Sequence, residues 1–261
     1  MKVIAAIKQV YDPTTVRVSR SRGILDTRSA ELMMNPGDRY ALEEALKLKD
    51  EQAAQVVVIS MGPAEAEDIL REALATDVDE AVLLTDDAFS DVDVSAAVLI
   101  LAKGMQKIGD YDLILTGHKA LGDGSGQFGP RLAQHLDLPQ ITRASHLVVG
   151  EGKVTARHKL WDGYATIEAP LPALLSIDEG ANKPRFPSLP GSIAAYDEQT
   201  VTIWGIEDLG LTPEEIEEST TTDVRGTLAG PERVLARLIT GEPSQAAREL
   251  LGELKRKGVL Q

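Results

Sequence analysis

Apolar residues cluster in short runs at positions 3–10, 55–60, 80–85 and 111–116, each rich in Val, Ile and Leu and lacking regular polar alternation. Such runs predict strands buried on both faces of a parallel sheet. Between them the spacing turns helical. Tyr40, Leu42, Ala45, Leu46 and Leu48 form an apolar stripe, with Glu43, Glu44, Lys47 and Lys49 expected on the water side. Asp38 is the expected N-cap of that helix, after an Asn35-Pro36-Gly37 turn. A second helix is expected to start at Pro63 and run through Ile69, Leu70, Ala73 and Leu74. A third is expected over 94–108, stopped by Gly109-Asp110. This alternation predicts a three-layer α/β sheet with right-handed crossovers.

Beyond residue 140 the rhythm shortens. Extended runs at 145–149, 154–160, 164–169 and 173–177 are split by Gly150-Glu151-Gly152, Asp162-Gly163 and Pro170-Leu171-Pro172. Those turns predict antiparallel strands added to the parallel core. Residues 178–200, with Pro184, Pro187 and Pro190, read as an ordered loop. Thr212-Pro213-Glu214-Glu215 is a capping signature for a short helix, and 217–223 reads as a solvated tether. A final amphipathic helix is expected over 244–257, with Ala247, Leu250, Leu251 and Leu254 on one side. The expected division is an α/β nucleotide-binding domain over 1–190. A partner-binding loop and C-terminal arm fill 191–261.

Composition narrows the chemistry. The 261 residues are 43% hydrophobic and 26% charged, as in a globular chain. With no cysteine, thiol catalysis, thiolate zinc sites and cysteine-held iron–sulfur clusters are excluded. The net charge of −14 argues against binding along a nucleic-acid backbone. No apolar run approaches the ~20 residues of a spanning helix, so a cytoplasmic protein is expected.

Ligands of open α/β sheets sit beyond the carboxyl ends of the strands. Three such ends carry suggestive residues: Ala5-Ala6-Ile7-Lys8-Gln9-Val10, Ser60-Met61-Gly62-Pro63, and the stretch from Thr116 to Pro130. The last contains five glycines and leads into a helix through Arg131 and Leu132, so that several amides and a helix N-terminus converge. That combination favours an anion such as phosphate. It is neither the dinucleotide fingerprint nor a P-loop, and a plain turn remains the alternative. His118, Asp123 and Ser125 lie too close on one loop for a nucleophilic triad. The histidines show no metal spacing, and Glu43/Glu44 and Glu214/Glu215 read as solvated helix faces rather than catalytic pairs.

In order and spacing, several segments resemble the beta subunit of electron transfer flavoprotein. They are Ile7-Lys8-Gln9-Val10 with Asp12, the stretch from Asn35 to Ala45, Ser60-Met61-Gly62-Pro63, and Leu70 to Ala75. Gly117 to Pro130, Pro170 to Leu174 and Asn182 to Pro190 complete the set. The resemblance implies a Rossmann-like sheet of the adenine nucleotide alpha hydrolase-like kind, with added antiparallel strands and an extended C-terminal arm. It implies a heterodimer with an alpha subunit that holds most of the redox-active FAD. A dehydrogenase or quinone oxidoreductase is the implied redox partner. It also implies an adenine-nucleotide pocket within this chain. Ala6 and Lys8 flank the adenine end, with Asn35, Asp38, Ser60 and Met61 nearby. Gly117 opens the loop whose backbone over Asp123, Gly124, Ser125, Gly126, Gln127, Phe128 and Gly129 holds the phosphates.

Two versions of that pocket exist in the family, one holding AMP and one a second FAD that supports electron bifurcation from NADH. The Gly129-Pro130 ending, the absence of threonine after Gln127, and Lys8-Gln9-Val10 with Asp12 resemble the FAD version. Phe128 matches neither. As a carrier the chain performs no acid–base chemistry on a substrate and is not catalytic alone. The alternative is a stand-alone α/β module that binds or hydrolyses ATP or AMP through the same loop.

Overall fold

The computed structural model describes residues 1–19, 24–122, 124–222 and 236–260. In chain order the strands are β1 (Lys2–Ala6), β2 (Gln9–Tyr11), β3 (Arg17–Ser19), β4 (Ile24–Asp26), β5 (Leu32–Met34), β6 (Gln55–Met61), β7 (Glu80–Leu84) and β8 (Leu113–Gly117). They continue with β9 (Gln140–Gly150), β10 (Lys153–Lys159), β11 (Tyr164–Pro170), β12 (Ala173–Ile177) and β13 (Val201–Trp204). The helices are α1 (Pro36–Gln52), α2 (Glu67–Leu74), α3 (Val94–Ile108), α4 (Phe128–His135), α5 (Leu189–Asp197), α6 (Pro213–Ser219) and α7 (Pro243–Arg256).

Nine strands form one sheet in the order β11-β10-β9-β12-β8-β1-β6-β7-β13. It is parallel from β9 to β13, and β10 pairs antiparallel with both β9 and β11. Alternate side chains feed two cores, as the period of a strand requires. Val3 and Ala5 of β1 pack with Ala41, Leu42 and Ala45 of α1 and Ile69 and Leu70 of α2. Ile4 and Ala6 pack with Ile100 and Ala102 of α3 and Leu132 and Ala133 of α4. Helices therefore cover both faces, and the three-layer α/β expectation holds. Among the described residues no helix is long and apolar enough to cross a membrane.

Several local expectations change. The run at 3–10 divides: the chain leaves the sheet after Ala6, and β2 pairs antiparallel with β5 in a separate ribbon. Hydrogen bonds at Lys8 cause the break. Its N–H donates to Asp38 Oδ2 (2.8 Å), and its carbonyl accepts from Asn35 N–H (2.8 Å). Asn35, not Asp38, occupies the N-cap position of α1. Pro63 precedes a 3-10 turn, Ala64–Ala66, rather than opening the helix itself. Strand 173–177 is parallel, inserted between β8 and β9 and fully buried. The stretch 178–200 contains α5, whose Ser188 hydroxyl accepts from Gly191 N–H (3.1 Å); Ser188 before Leu189-Pro190 is a cap signal that the prolines mask. Residue 223 of the expected tether lies outside the described residues, whereas Thr221 and Thr222 donate their N–H groups to Asp93 Oδ2.

Glu43 and Glu44 are not solvated. They are 7% and 2% exposed, covered by the segment that follows β12. Glu43 pairs with Arg185 (3.0 Å), while Glu44 pairs with Lys47 (3.1 Å) and accepts from Asn182 Nδ2 (2.8 Å).

Candidate nucleotide site

Parallel strands place the carboxyl ends of β1, β6, β8 and β12 along one rim. In register, Ala6 stands opposite Ile59 on one side and Thr116 on the other, and Thr116 stands opposite Ser176. Residues 117–122 and 124–127 continue from this rim toward α4, with Gly126 against His118.

The root of the loop is locked to the start of α1. Asn35, 1% exposed, donates from Nδ2 to Lys119 O (2.8 Å) and accepts at Oδ1 from Leu121 N–H (3.1 Å). A Cβ on Gly37 would stand 2.8 Å from Lys119 O. One on Gly117 would stand 2.3 Å from Asp38 Oδ1 and 2.7 Å from the carbonyl carbon of Gly37. Glycine is thus required at both positions by contact distance. Burial pushes the Asp38 carboxyl up to about 7, while hydrogen bonds from the Asn35 side chain and the N–H groups of Lys8 and Gly117 pull it back down. Asn35, Asp38 and Gly117 therefore act as scaffold for the loop.

The far end of the loop rests on β8 and β12. Gly129 is buried, and a Cβ there would lie 3.0 Å from Thr116 Oγ1 and 3.4 Å from Ser176 Cβ. Gly124 and Gly126 have φ of +60° and +67°, which favour glycine. Gly124 N–H bonds to Ala120 O (3.1 Å), and Gln127 stands at the N-cap of α4 with its carbonyl accepting from Arg131 N–H (3.0 Å). Phe128 turns its ring onto the α3/α4 core, as Met61 does from β6. Lys8 is exposed beside the rim. Asp123 lies outside the described residues.

Thr116 Oγ1 and Ser60 Oγ are buried without a hydrogen-bond partner. Thr116 shares the α3/α4 face with Ala6, Met61 and Gly129. Ser60 alternates with Ile59 and so lies on the opposite face with Val58. Ala6, Met61, Thr116 and Gly129 thus lie toward one face of the rim, and Ser60 lies toward the other. Sequence reasoning includes Thr116 only as the start of the loop stretch, gives it no role, and passes over Ser176. The available signal is a hydroxyl closing each apolar run, Leu113-Ile114-Leu115-Thr116 and Ala173-Leu174-Leu175-Ser176, where burial demands an apolar residue. A separate cavity of about 320 Å³ lies between α2 and α5, lined by Leu74, Thr76, Arg185, Phe186, Ser188 and Gln199. It shares no residue with the rim.

The electron transfer flavoprotein domain family model matches residues 23–204. The chain belongs to the electron transfer flavoprotein family. Its relatives place it with the beta subunits. It is 36% identical over 263 aligned residues, covering all of both chains, to the caffeyl-CoA reductase–Etf complex subunit CarD of Acetobacterium woodii. It is 36% identical over 262, again covering both chains entirely, to the electron transfer flavoprotein subunit beta of Thermoanaerobacterium thermosaccharolyticum. The subunit beta of Clostridium acetobutylicum is 39% identical over 236 residues, 87% of this chain and 90% of that one. Among the described residues no group of three or more His, Asp or Glu is placed to hold a metal ion.

Proposed function

We propose that this chain is the nucleotide-holding half of a cytoplasmic, heterodimeric electron carrier. Its alpha partner holds most of one redox-active FAD, and the rim described above holds a second FAD, with AMP as the alternative ligand. The observation that carries this reading is the glycine loop clamped over β8 and β12 beside the unsatisfied Thr116 hydroxyl. A buried hydroxyl without a partner costs about 1–3 kcal/mol, and a ligand oxygen or nitrogen would relieve it.

Each part of the rim has a task. The amides around Gly126–Gly129 and the N-terminus of α4 bind phosphate oxygens. Ala6 leaves room for a planar group against the backbone, and Met61 gives that group an apolar wall. Exposed Lys8 supplies positive charge. Asn35 and Asp38 keep the loop in register. A bound flavin would supply electron storage, and this chain's residues would set its retention and electrostatic surroundings. The CarD relative is by name a subunit of a caffeyl-CoA reductase–Etf complex, which supports a dehydrogenase or reductase as the redox partner; electron bifurcation is the working mode proposed with it. Residues 191–261 are assigned to partner contacts. α7 has no buried residue, and its Leu250 and Leu251 are about half exposed.

The test is co-expression with an alpha chain. A yellow complex of two chains whose flavin bands bleach on reduction supports the proposal. A colourless single chain that turns over ATP with magnesium overturns it in favour of a stand-alone nucleotide-hydrolysing module.

A further inference from the structure

His118 is the first residue beyond β8, and its N–H is fixed to Ile177 O at the end of β12 (3.1 Å). Its ring lies beneath the glycine loop. A Cβ on Gly126 would approach Cε1 to 3.3 Å and Nδ1 to 3.7 Å, so the loop crosses directly over the imidazole. Nδ1 is shut off from water and has no hydrogen-bond partner. A ring nitrogen in that condition is a donor or acceptor in waiting.

The surroundings of the ring disfavour its charged form. Among the described residues, the charged groups around it are Lys119 on its own segment, Arg143 of β9, and Asp178 and Glu179 beyond β12. Burial, then Arg143 and Lys119, hold its pKa below the ordinary imidazole value, with Asp178 and Glu179 opposing. Asp178, the natural counter-ion, is already engaged: it is 8% exposed and takes Arg143 Nε at 3.3 Å and Lys159 Nζ at 3.0 Å. Glu179 is exposed, so its attraction for an imidazolium is weakened by solvent, and a phosphate seated on the loop would add the stronger anion.

We propose that His118 is a proton-linked positioning residue of the nucleotide site, taking up a proton as a phosphate-bearing ligand seats on the loop above it. The proposal rests on the rim being a nucleotide site. The proton comes from solvent, and no covalent bond changes. The gained charge draws the phosphate toward the loop, and the loaded ligand holds the proton in return, as linkage requires. His118 would thereby make nucleotide retention pH-dependent in the range where imidazole titrates.

The experiment uses the full chain with its alpha partner, stripped of nucleotide, and FAD as the probe, since a diphosphate diester does not titrate near neutrality. Calorimetry in buffers of different ionisation enthalpy reads the protons taken up. Wild type is expected to bind FAD in this rim roughly tenfold more tightly at about pH 6 than at about pH 8, with net proton uptake. His118→Gln is expected to bind with a flat pH profile and without that uptake. His118→Lys, a fixed cation, is expected to bind tightly with an equally flat profile, and it guards against a folding defect in the glutamine variant. Equal proton uptake and an equal pH slope in wild type and both variants overturn the proposal while leaving the site intact. Failure of wild type to bind FAD or AMP in the rim removes the site reading, and this proposal with it.

Discussion

Asp38 and Gly117 are packed so closely that a methyl group on Gly117 would lie 2.3 Å from Asp38 Oδ1. The contact joins the N-terminus of α1 to the root of the glycine loop, and two of the neighbours in the way, the Gly37 carbonyl carbon and Asp38 N, are backbone, so it cannot be relieved by a rotamer change. Gly117→Ala is expected to cost about 1–3 kcal/mol and to loosen the loop. Urea unfolding measures the first effect and nucleotide retention the second. Wild-type stability in this variant would contradict the packing described.

Asp38 also ties stability to pH. Burial raises its carboxyl from the ordinary 3.8 to about 7, so the folded chain holds that proton more tightly than the unfolded chain does. The resulting stabilisation is complete below pH 3.8 and is lost as pH rises toward 7. Asp38→Asn carries no such proton. The stability of wild type relative to Asp38→Asn is expected to fall by about 2 kcal/mol between about pH 5 and pH 7. Denaturant titrations of both proteins across that interval read it directly; a constant or rising difference is the wrong sign.

Arg185 latches the segment after β12 onto α1. Its N–H and Nε reach Glu43 Oε2 at 2.9 and 3.0 Å, and its Nη2 reaches Asp50 Oδ2 at 2.7 Å. The two carboxylates hold the guanidinium charged. Arg185→Ala leaves Glu43 buried without its cation and is expected to cost about 2 kcal/mol, given partial exposure of the pair. Because Glu43 is screened from solvent, the loss should persist in high salt. A change below about 0.5 kcal/mol would place the latch among decorative surface pairs.

Lys8→Ala and Gln127→Ala probe the two sides of the mouth. Each is expected to weaken nucleotide retention roughly tenfold, the scale of one lost polar contact, with little effect on unfolding because both side chains are exposed. Dialysis followed by acid extraction counts what remains. Full occupancy in both variants would move the pocket elsewhere.

The parallel core was legible because Val, Ile and Leu runs without alternation have few other uses, and the helices between them carried clear apolar stripes. What the pattern hid were elements decided by distant partners. β12 reads like any short strand, and only its place between β8 and β9 makes it parallel. Glu43 and Glu44 look like solvent-facing carboxylates until Asn182 and Arg185 fold over them. β13 is four residues long, too brief for a periodic signal. For the site, the glycine loop announced itself, and the resemblance supplied the ligand class. The division between scaffold residues such as Asn35 and Asp38 and mouth residues such as Ala6 and Met61 depended on three-dimensional packing. So did the unsatisfied hydroxyl of Thr116.

The most direct measurement is the count of nucleotides in the complex co-expressed with its alpha chain, by flavin absorbance and chromatography of the acid extract. Two FAD per heterodimer are expected, one of them lost when residues 124–129 are altered. One FAD with one AMP would keep the rim as a nucleotide site and change only its ligand. A single flavin with no further nucleotide would contradict the central claim.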